Sequence, residues 1–220
     1  MVDGPRRTLR EPLRGRGPRV APLFPLPKVF LFPGCVMPLH VFEPRYRRMV
    51  EDLLDGTGQL VMGTVEHGHA DELAGSPPVR PVAGLGEICR HERLPDGRYL
   101  VWLFGLTRVR IREAASDKPY RRVAVEPLYE IAPPKEREPD LRWRLAAAIL
   151  ARCDASTRLP ERIPISCLAD LLLQRLGLPQ AELEPLFEEL DVEQRAERVL
   201  AADARRSTRG TRSRRGTSDD

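Results

Sequence analysis

Long hydrophobic runs are missing from this sequence, and aromatic residues are few. Its 220 residues are 41% hydrophobic but only 5% aromatic, and no segment approaches the roughly 20 consecutive apolar residues of a membrane-spanning helix. The first twenty residues contain arginines but no apolar core, so they do not match a secretory signal. We therefore expect a globular cytoplasmic protein that makes no membrane contact.

The residues of common nucleotide and protease sites are also lacking. The sequence contains no Gly-x-x-x-x-Gly-Lys-Ser/Thr segment, the loop that cradles phosphates. Its only lysines are Lys28, Lys118 and Lys135, and none lies near a serine in a glycine-bracketed turn, as a serine–lysine dyad would require. These residues therefore predict neither a phosphate-binding loop nor a serine–lysine proteolytic site.

Cysteine is too scarce to suggest a disulfide framework or a structural metal. The four cysteines are Cys35, Cys89, Cys153 and Cys167. Cys35 with His40 could form a nucleophile and base, and Cys89 with His91 could complete four zinc ligands. No Cys-x-x-Cys pair supports the metal, and a small buried thiol packs well in a core. We therefore predict free thiols and no metal site.

Positive charge is concentrated at the two ends of the chain. Residues 1–19 and 205–220 each contain six arginines and two acidic residues, so each carries +4. Since the whole chain carries +4, residues 20–204 are left with −4. Both ends lack hydrophobic periodicity and are predicted to be disordered basic tails. Their arginines would give weak, non-specific and salt-sensitive binding to nucleic acid.

Prolines dominate the first segment with apolar character. Pro22, Pro25 and Pro27 each fix φ and lack a backbone donor, so we expect an extended segment that lies outside any sheet. Val29–Phe32 is a short apolar run bounded by prolines, which predicts a buried strand. Pro38–Phe42 is predicted to be extended again.

A helix is predicted to begin at Glu43-Pro44, because proline fits the first turn of a helix. Apolar residues then recur at spacings of three and four, at Tyr46, Met49, Val50, Leu53 and Leu54. This spacing places them on one helical face, and we expect that face to pack on the core.

The next part of the chain predicts strands joined by short turns. The strand predictions are Gln59–Val65, Val82–Leu94, Arg98–Phe104, Thr107–Arg112 and Tyr120–Ile131. Asp96-Gly97 supplies the turn between the second and third of these. Arg98–Phe104 is apolar at both alternating sets of positions, which is typical of a central strand, and Gly105 is expected to end it.

Pro133-Pro134 marks a change to helical patterns. Helices are predicted at residues 141–152, 167–176, 180–190 and 192–204. Gly177 is expected to end the second helix, and Asp191 with Gln194 resembles a capping box at the start of the fourth. The chain therefore divides into a tail (1–19), a strand domain (20–132), a helical bundle (133–204) and a second tail (205–220).

One long run identifies a family. Residues 22–54, PLFPLPKVFLFPGCVMPLHVFEPRYRRMVEDLL, closely resemble the start of the N-terminal, substrate-binding domain of the ATP-dependent Lon protease family. The PDGRY hairpin (95–99), the GLTRVRI strand (105–111) and residues 168–200 are also similar to that family. The resemblance covers roughly residues 22–204. It implies an α+β fold, with a PUA-like, mostly antiparallel β-barrel containing one early helix, followed by a C-terminal helical bundle.

The resemblance also implies a function. Lon proteases continue with ATPase and protease modules, which do not fit in this chain, so the expectation is a stand-alone, non-catalytic module that binds exposed or unfolded polypeptide. It would serve as a proteolysis adaptor or a chaperone-like binder, with a protease or a chaperone as its partner. The resemblance implies no metal and no cofactor.

The expected binding site lies on the Pro33–Glu43 loop and the helix that follows. Leu39, Val41, Phe42 and Tyr46 would offer apolar contacts. Glu43 and Arg45 would orient the ligand. The alternative is that Leu39, Phe42 and Tyr46 form a plug in the barrel, because apolar residues at such spacing usually belong to a core.

A second functional reading rests on arginines of two strands. Val109 and Ile111 alternate with Arg108, Arg110 and Arg112, which predicts that the arginines point outward. Arg121 and Arg122 would extend this basic ridge on the next strand. PUA-like barrels include RNA-binding members, so the alternative is an RNA-binding module using the ridge and the tails. The acidic central region and the few aromatic residues argue against it.

Overall fold

A computed structural model describes residues 19–72, 75–154 and 156–215, with the backbone alone for residues 207–215. The predicted N-terminal tail lies outside these residues except for Arg19. The chain divides into two compact units, one ending at Leu128 and the other starting at Tyr129. The boundary therefore lies four residues before the predicted end of the strand domain at residue 132.

The described residues form six strands and five helices, which confirms the α+β class. The strands are β1 (Arg19–Pro27), β2 (Val36–Val41), β3 (Gln59–Val65), β4 (Val82–Arg93), β5 (Tyr99–Ala114) and β6 (Arg122–Pro127). The helices are α1 (Pro44–Leu54), α2 (Glu138–Leu150), α3 (Ile165–Arg175), α4 (Gln180–Phe187) and α5 (Val192–Arg215). A short 3₁₀ turn covers Ala70–Glu72.

All six strands belong to one sheet in the order β2-β5-β4-β3-β1-β6, and β6 also pairs with β5. Five strands therefore pair in a closed circuit, and β2 is added beside the first half of β5. Every pairing is antiparallel except that of β1 with β3. The mostly antiparallel prediction is confirmed. The barrel stays a prediction, because the pairings show which strands are hydrogen-bonded and do not give the shape of the sheet.

The prediction that Pro22, Pro25 and Pro27 keep their segment out of a sheet is wrong, because β1 contains all three. β1 pairs with β6 over its first four residues and with β3 over its last five. The amide of Leu23 donates to the carbonyl of Arg121, on the side away from β3. The nitrogens of Pro25 and Pro27 point to that same side, where the β6 pairing has ended, so no donor is missed.

The segment Val29–Phe32 is not the predicted strand but part of the connection between β1 and β2. Phe30, Leu31 and Phe32 are nevertheless buried. Just beyond them, the amide of Gly34 donates to the carbonyl of Gly105 over 2.8 Å. We call residues 28–35 the crossing segment, because it packs across β4 and β5 without pairing as a strand.

Two glycines make this close approach possible. A Cβ atom at Gly84 would overlap the carbonyl oxygen of Leu31, and one at Gly105 would overlap the carbonyl oxygen of Phe32. The prediction that Gly105 ends a strand is therefore wrong, since β5 continues through it. Glycine stands there because another backbone lies against the strand.

The core of the first unit lies between α1 and one face of the sheet. As predicted, α1 buries Tyr46, Met49, Val50 and Leu53. These residues belong to a cluster that also contains buried residues of four strands: Phe24, Leu60, Met62, Val41, Tyr99, Val101 and Leu103. A second cluster lies among β1, β3, β4, β5 and β6 and includes Leu23, Val61, Leu85, Val109 and Ile111.

The second unit is helical, as predicted, and has a buried ion pair. Arg195 of α5 is fully buried, and its Nε lies 3.2 Å from Asp170 Oδ1 of α3. Asp191 caps α5 by accepting the amide of Gln194 over 3.0 Å, which confirms the predicted capping interaction. α5 continues to Arg215, past the predicted helix end at Ala204. Residues 205–215 of the predicted tail are therefore helical.

Candidate functional site

The candidate site is on the part of the sheet formed by β2, the first half of β5 and the end of β4. Here Met37 pairs with Leu103, Leu39 with Val101, and Val41 with Tyr99. These six residues are buried or packed against the cluster beneath α1. We call their side of the sheet the inner face, and it belongs to the core.

The opposite side of the sheet carries a second set of apolar residues, and these are more exposed than those of the inner face. The alternate pairs are Val36 with Phe104, Pro38 with Trp102, and His40 with Leu100. Val36 is 52% exposed, and Phe42, which directly follows β2, is 59% exposed. Leu100, Trp102 and Phe104 are partly exposed. We define the outer apolar face by Val36, Pro38, Phe42, Leu100, Trp102 and Phe104.

Charged residues of β4 border this face, and one polar residue of β2 lies within it. Arg90 pairs with Trp102 across the strands, and its guanidinium carbon lies 4.6 Å from the centre of the indole. Glu92 is opposite Leu100. His40 of β2 lies within the face, between Pro38 and Phe42, and its ring is 5.9 Å from the ring of Phe42. The face is therefore apolar except for His40 and is bordered by charged residues along β4, and a polar rim around apolar residues is typical of a binding surface.

The six predicted binding residues separate into two groups. Val41 and Tyr46 are 2% and 5% exposed, so these two side chains are not available to a ligand, whereas Leu39 is partly buried and packs against the core cluster. Burial also raises the pKa of Tyr46. Phe42 is exposed and is not part of a plug. Of the predicted apolar contacts, Phe42 is the most exposed.

Glu43 and Arg45 bind each other and the protein. Arg45 Nε donates to Glu43 Oε2 over 3.0 Å, and its Nη1 donates to the carbonyl of Gly75 over 3.3 Å. The guanidinium carbon of Arg45 also lies 4.6 Å from the centre of the Tyr46 ring. These contacts hold the entry to α1 beside Phe42.

The predicted basic ridge is smaller than the sequence suggests. Arg108 is only 1% exposed, and its guanidinium carbon lies 5.8 Å from the ring centre of Phe32. The prediction that Arg108 points into solvent is therefore wrong, because Phe32 of the crossing segment lies beside this part of β5. Arg110 and Arg112 are exposed, but Arg110 is directly opposite Glu126 on β6.

The remaining ridge arginines also lie beside acidic or carbonyl groups. Arg121 donates to Glu113 and, over 2.7 Å, to the carbonyl of Pro77. Arg122 Nη1 lies 3.6 Å from Asp117 Oδ1. A surface in which most arginines have such neighbours offers little free positive charge to a phosphate backbone.

The cysteine and histidine residues do not converge on one point. His40 is opposite Leu100 on β5, whereas His91 is opposite Val101, so the two histidines start from opposite faces of the sheet. Cys89 instead contacts the carbonyl of Trp102 at 3.2 Å. Within residues 19–72, 75–154 and 156–206, no cluster of three or more metal-ligating side chains is found.

Sequence reasoning missed most of the outer apolar face. The apolar character of Leu100, Trp102 and Phe104 is visible in the sequence, where it predicts a central strand. β5 is central in the sheet, but this half of it has an exposed side. The exposed side of β2 could have been found from the alternation of Val36 and Pro38 with Met37 and Leu39.

A family model for the ATP-dependent protease La (LON) substrate-binding domain matches residues 20–202. The chain belongs to the Lon substrate-binding domain family. The match includes β1 and α1, the crossing segment and the helical unit as far as Ala202. No helix in the described part of the chain is both long enough and apolar enough to cross a membrane.

Similar proteins carry the same family name. The chain is 27% identical over 193 residues to the Lon protease of Trichlorobacter lovleyi, which covers 84% of the chain and 24% of that protein. It is 35% identical over 112 residues to Lon protease 2 of Sorangium cellulosum, which covers 50% of the chain and 14% of that protein. The chain therefore spans about a quarter or less of the length of these relatives.

Two solved structures show the same fold. A Lon N-terminal domain protein from Xanthomonas campestris superposes with a TM-score of 0.61 at 24% identity, covering 83% of this chain and 98% of that one. The N-terminal domain of Mycobacterium avium complex Lon protease superposes with a TM-score of 0.63 at 19% identity, covering 84% and 98%. The predicted Lon N-terminal fold is confirmed.

Proposed function

We propose that this Lon-type substrate-binding domain recognises unfolded or extended polypeptide with its outer apolar face and catalyses no reaction. The observation that carries the proposal is the exposure of apolar residues on one face of two paired strands, where Val36 and Phe42 are exposed and Trp102 is partly exposed. Soluble proteins rarely expose contiguous apolar patches without a binding role.

The surroundings of the face suit binding rather than chemistry. The two strands that carry the face are paired with each other, and their inner side chains pack in the core. The protein therefore loses little conformational entropy when a ligand binds. Trp102 and Phe104 are large and rigid, the kind of side chain that contributes most of the energy at interfaces. An unfolded polypeptide exposes the apolar side chains that such a surface would cover.

The wider role follows from the family. The matched family is a substrate-binding domain, and its relatives are Lon proteases. We propose that the chain delivers polypeptides to a protease, or holds them as a chaperone does. The sequence contains no phosphate-binding loop and no lysine beside a serine in a glycine-bracketed turn, which supports a non-catalytic role.

Fluorescence anisotropy tests the proposal. The probe is fluorescein-labelled α-lactalbumin that has been reduced and carboxymethylated, so that it stays unfolded. We expect Phe42→Ala and Trp102→Ala each to raise the Kd at least tenfold, as loss of a central apolar contact does. The matched control is Trp143→Ala, because Trp143 is 72% exposed on α2 in the helical unit.

The result is informative only if the variants remain folded, which circular dichroism and thermal melts establish. Wild-type affinity in folded Phe42→Ala and Trp102→Ala would remove the outer apolar face as the binding site. Weaker binding by Trp143→Ala alone would place the site in the helical unit. If the wild-type protein does not bind the unfolded probe at all, the proposed function itself is wrong.

A further inference from the structure

The free edge of β2 borders the outer apolar face. β2 is the end strand of the sheet and pairs with β5 alone. Apart from that ladder, the backbone of Val36–Val41 makes no hydrogen bond to any other described residue. Val36, Pro38 and His40 are exposed, so solvent reaches this edge. An open strand edge of this kind can pair with another chain.

The ladder shows which backbone groups point outward. The amide of Gly105 donates to the carbonyl of Cys35 over 2.8 Å, so Cys35 directs its carbonyl toward β5. Antiparallel pairing alternates, so Met37, Leu39 and Val41 also face β5, and Val36, Pro38 and His40 face away from it. The open edge therefore presents three carbonyls but only two amides, because Pro38 has no N–H.

We infer that the polypeptide binds as an added β-strand along the open edge of β2. This inference rests on the proposed function and specifies how that site works. Backbone hydrogen bonds to Val36, Pro38 and His40 would hold the added chain without regard to its sequence. Alternate side chains of the added strand would lie over Pro38 and Phe42 and extend the outer apolar face.

Pro38 favours a foreign polypeptide over a second copy of this protein. If two copies paired antiparallel through β2, centred on Pro38, the central pair would lack both amides and would form no hydrogen bond. A polypeptide without proline at that point loses only one of the two bonds. The missing donor therefore disfavours pairing with a second copy more than pairing with a polypeptide that lacks proline at that point.

Alternate N-methylation of a probe peptide tests backbone pairing directly. The probe is a fluorescein-labelled heptapeptide of alternating valine and serine, with one derivative N-methylated on the valines and another on the serines. In a strand, alternate amides point to opposite sides. We expect one derivative to bind at least tenfold more weakly, and the other to bind within threefold of the unmodified peptide.

Two variants at the edge provide the matching test on the protein side. Pro38→Ala adds an outward amide, so we expect the unmodified peptide to bind about threefold more tightly. His40→Pro removes an outward amide and should weaken binding about threefold or more, while the β2–β5 ladder is kept. Thermal melts of both variants show whether β2 has kept its fold.

The outcomes separate the two proposals. If Trp102→Ala weakens binding of the unfolded protein but both methylated peptides bind alike, the proposed function stands and strand addition is wrong. Equal binding by wild-type, Pro38→Ala and His40→Pro proteins would also overturn strand addition.

Sedimentation equilibrium tests the second copy. If the protein forms a dimer that Pro38→Ala strengthens and that prevents peptide binding, the edge pairs with a second copy and strand addition by a foreign polypeptide is wrong. Strand addition is supported if only one of the two N-methylated derivatives binds at least tenfold more weakly than the unmodified peptide.

Discussion

The inner and outer faces of the β2–β5 pair have similar apolar character but different neighbours. On the inner face Val101 and Leu103 are at most 1% exposed, whereas on the outer face Val36 and Phe42 are more than half exposed. Helix α1 accounts for the difference, because its buried residues share one cluster with the inner face.

The comparison teaches that apolar alternation does not decide which side of a strand becomes core. Which side becomes core depends on where a helix packs. Helix α1 has a single buried side, so it covers one face of the strands. The uncovered side then remains as a preformed apolar surface. In this protein the same two strands therefore serve stability on one face and, as we propose, binding on the other.

The sharpest test of the comparison uses two leucines of one strand. Leu103 is fully buried on the inner face and Leu100 is partly exposed on the outer face. We expect Leu103→Ala to lower the free energy of unfolding by about 2–5 kcal/mol. Leu100→Ala should lower it by less than about 1 kcal/mol. Urea denaturation measures both, and equal losses would show that both faces are core.

A second prediction concerns the crossing segment at Gly105. A methyl group there would overlap the carbonyl oxygen of Phe32, and a backbone atom cannot move aside as a flexible side chain can. We expect Gly105→Ala to lower the free energy of unfolding by about 2–3 kcal/mol.

Gly75→Ala is the control, because the nearest atom to a methyl group at that position is 3.4 Å away. Urea denaturation again gives the comparison. If Gly105→Ala were as stable as Gly75→Ala, the crossing segment would not lie against β5.

Local signals in the sequence were sufficient for several elements. Proline at the first turn and the spacing from Tyr46 to Leu53 predicted α1 correctly, because both depend on the helix itself. The Asp96-Gly97 turn was also predictable, since Gly97 has φ of 80°, which glycine adopts without strain. In each case the physical cause lies within a few residues of the chain.

The predictions that failed depended on distant parts of the chain. Val29–Phe32 has a strand-like composition, but Gly84 and Gly105 admit it as a crossing segment, and neither glycine is near it in sequence. Arg108 alternates with apolar residues yet is buried under the same segment. The outer apolar face was only partly predictable, since Phe42 was among the predicted residues but Trp102 comes from another strand.

A hydrogen bond between Asp52 of α1 and Tyr120 provides a prediction with a smaller effect on stability, and this effect depends on pH. Tyr120 donates a hydrogen bond of 2.8 Å to Asp52 Oδ2, and this bond is the main cause that lowers the pKa of Asp52. Burial raises the pKa of Tyr120 to about 12. Because Tyr120 and α1 share the inner-face cluster, the bond ties the covering helix to the sheet unit.

The two shifts act at opposite ends of the pH range. The lowered pKa of Asp52 stabilises the fold above its ordinary value of 3.8, and this contribution is lost as the pH falls below that value. The raised pKa of Tyr120 stabilises the fold below its ordinary value of 10.0, and this contribution is lost between pH 10 and about 12.

Two variants separate the contribution of Asp52 at low pH from that of Tyr120 at high pH. We expect Asp52→Asn to lower the free energy of unfolding by about 1 kcal/mol at pH 7, and its deficit relative to wild type should shrink below pH 3.8. Tyr120→Phe should show a deficit that shrinks above pH 10. Urea denaturation across the pH range measures both, and a deficit independent of pH would argue against the bond. Neither variant should change peptide binding at the outer apolar face.

The smallest expected effect on stability is at Phe42, and it tests the outer face without any peptide. Phe42 is 59% exposed, so Phe42→Ser should change the free energy of unfolding by no more than about 0.5 kcal/mol. The same change should reduce the fluorescence of the dye ANS, which binds exposed apolar surface. Tyr129→Ser is the control, because Tyr129 is 80% exposed in the helical unit. A loss of 2 kcal/mol or more, typical of a core residue, would instead place Phe42 in the core.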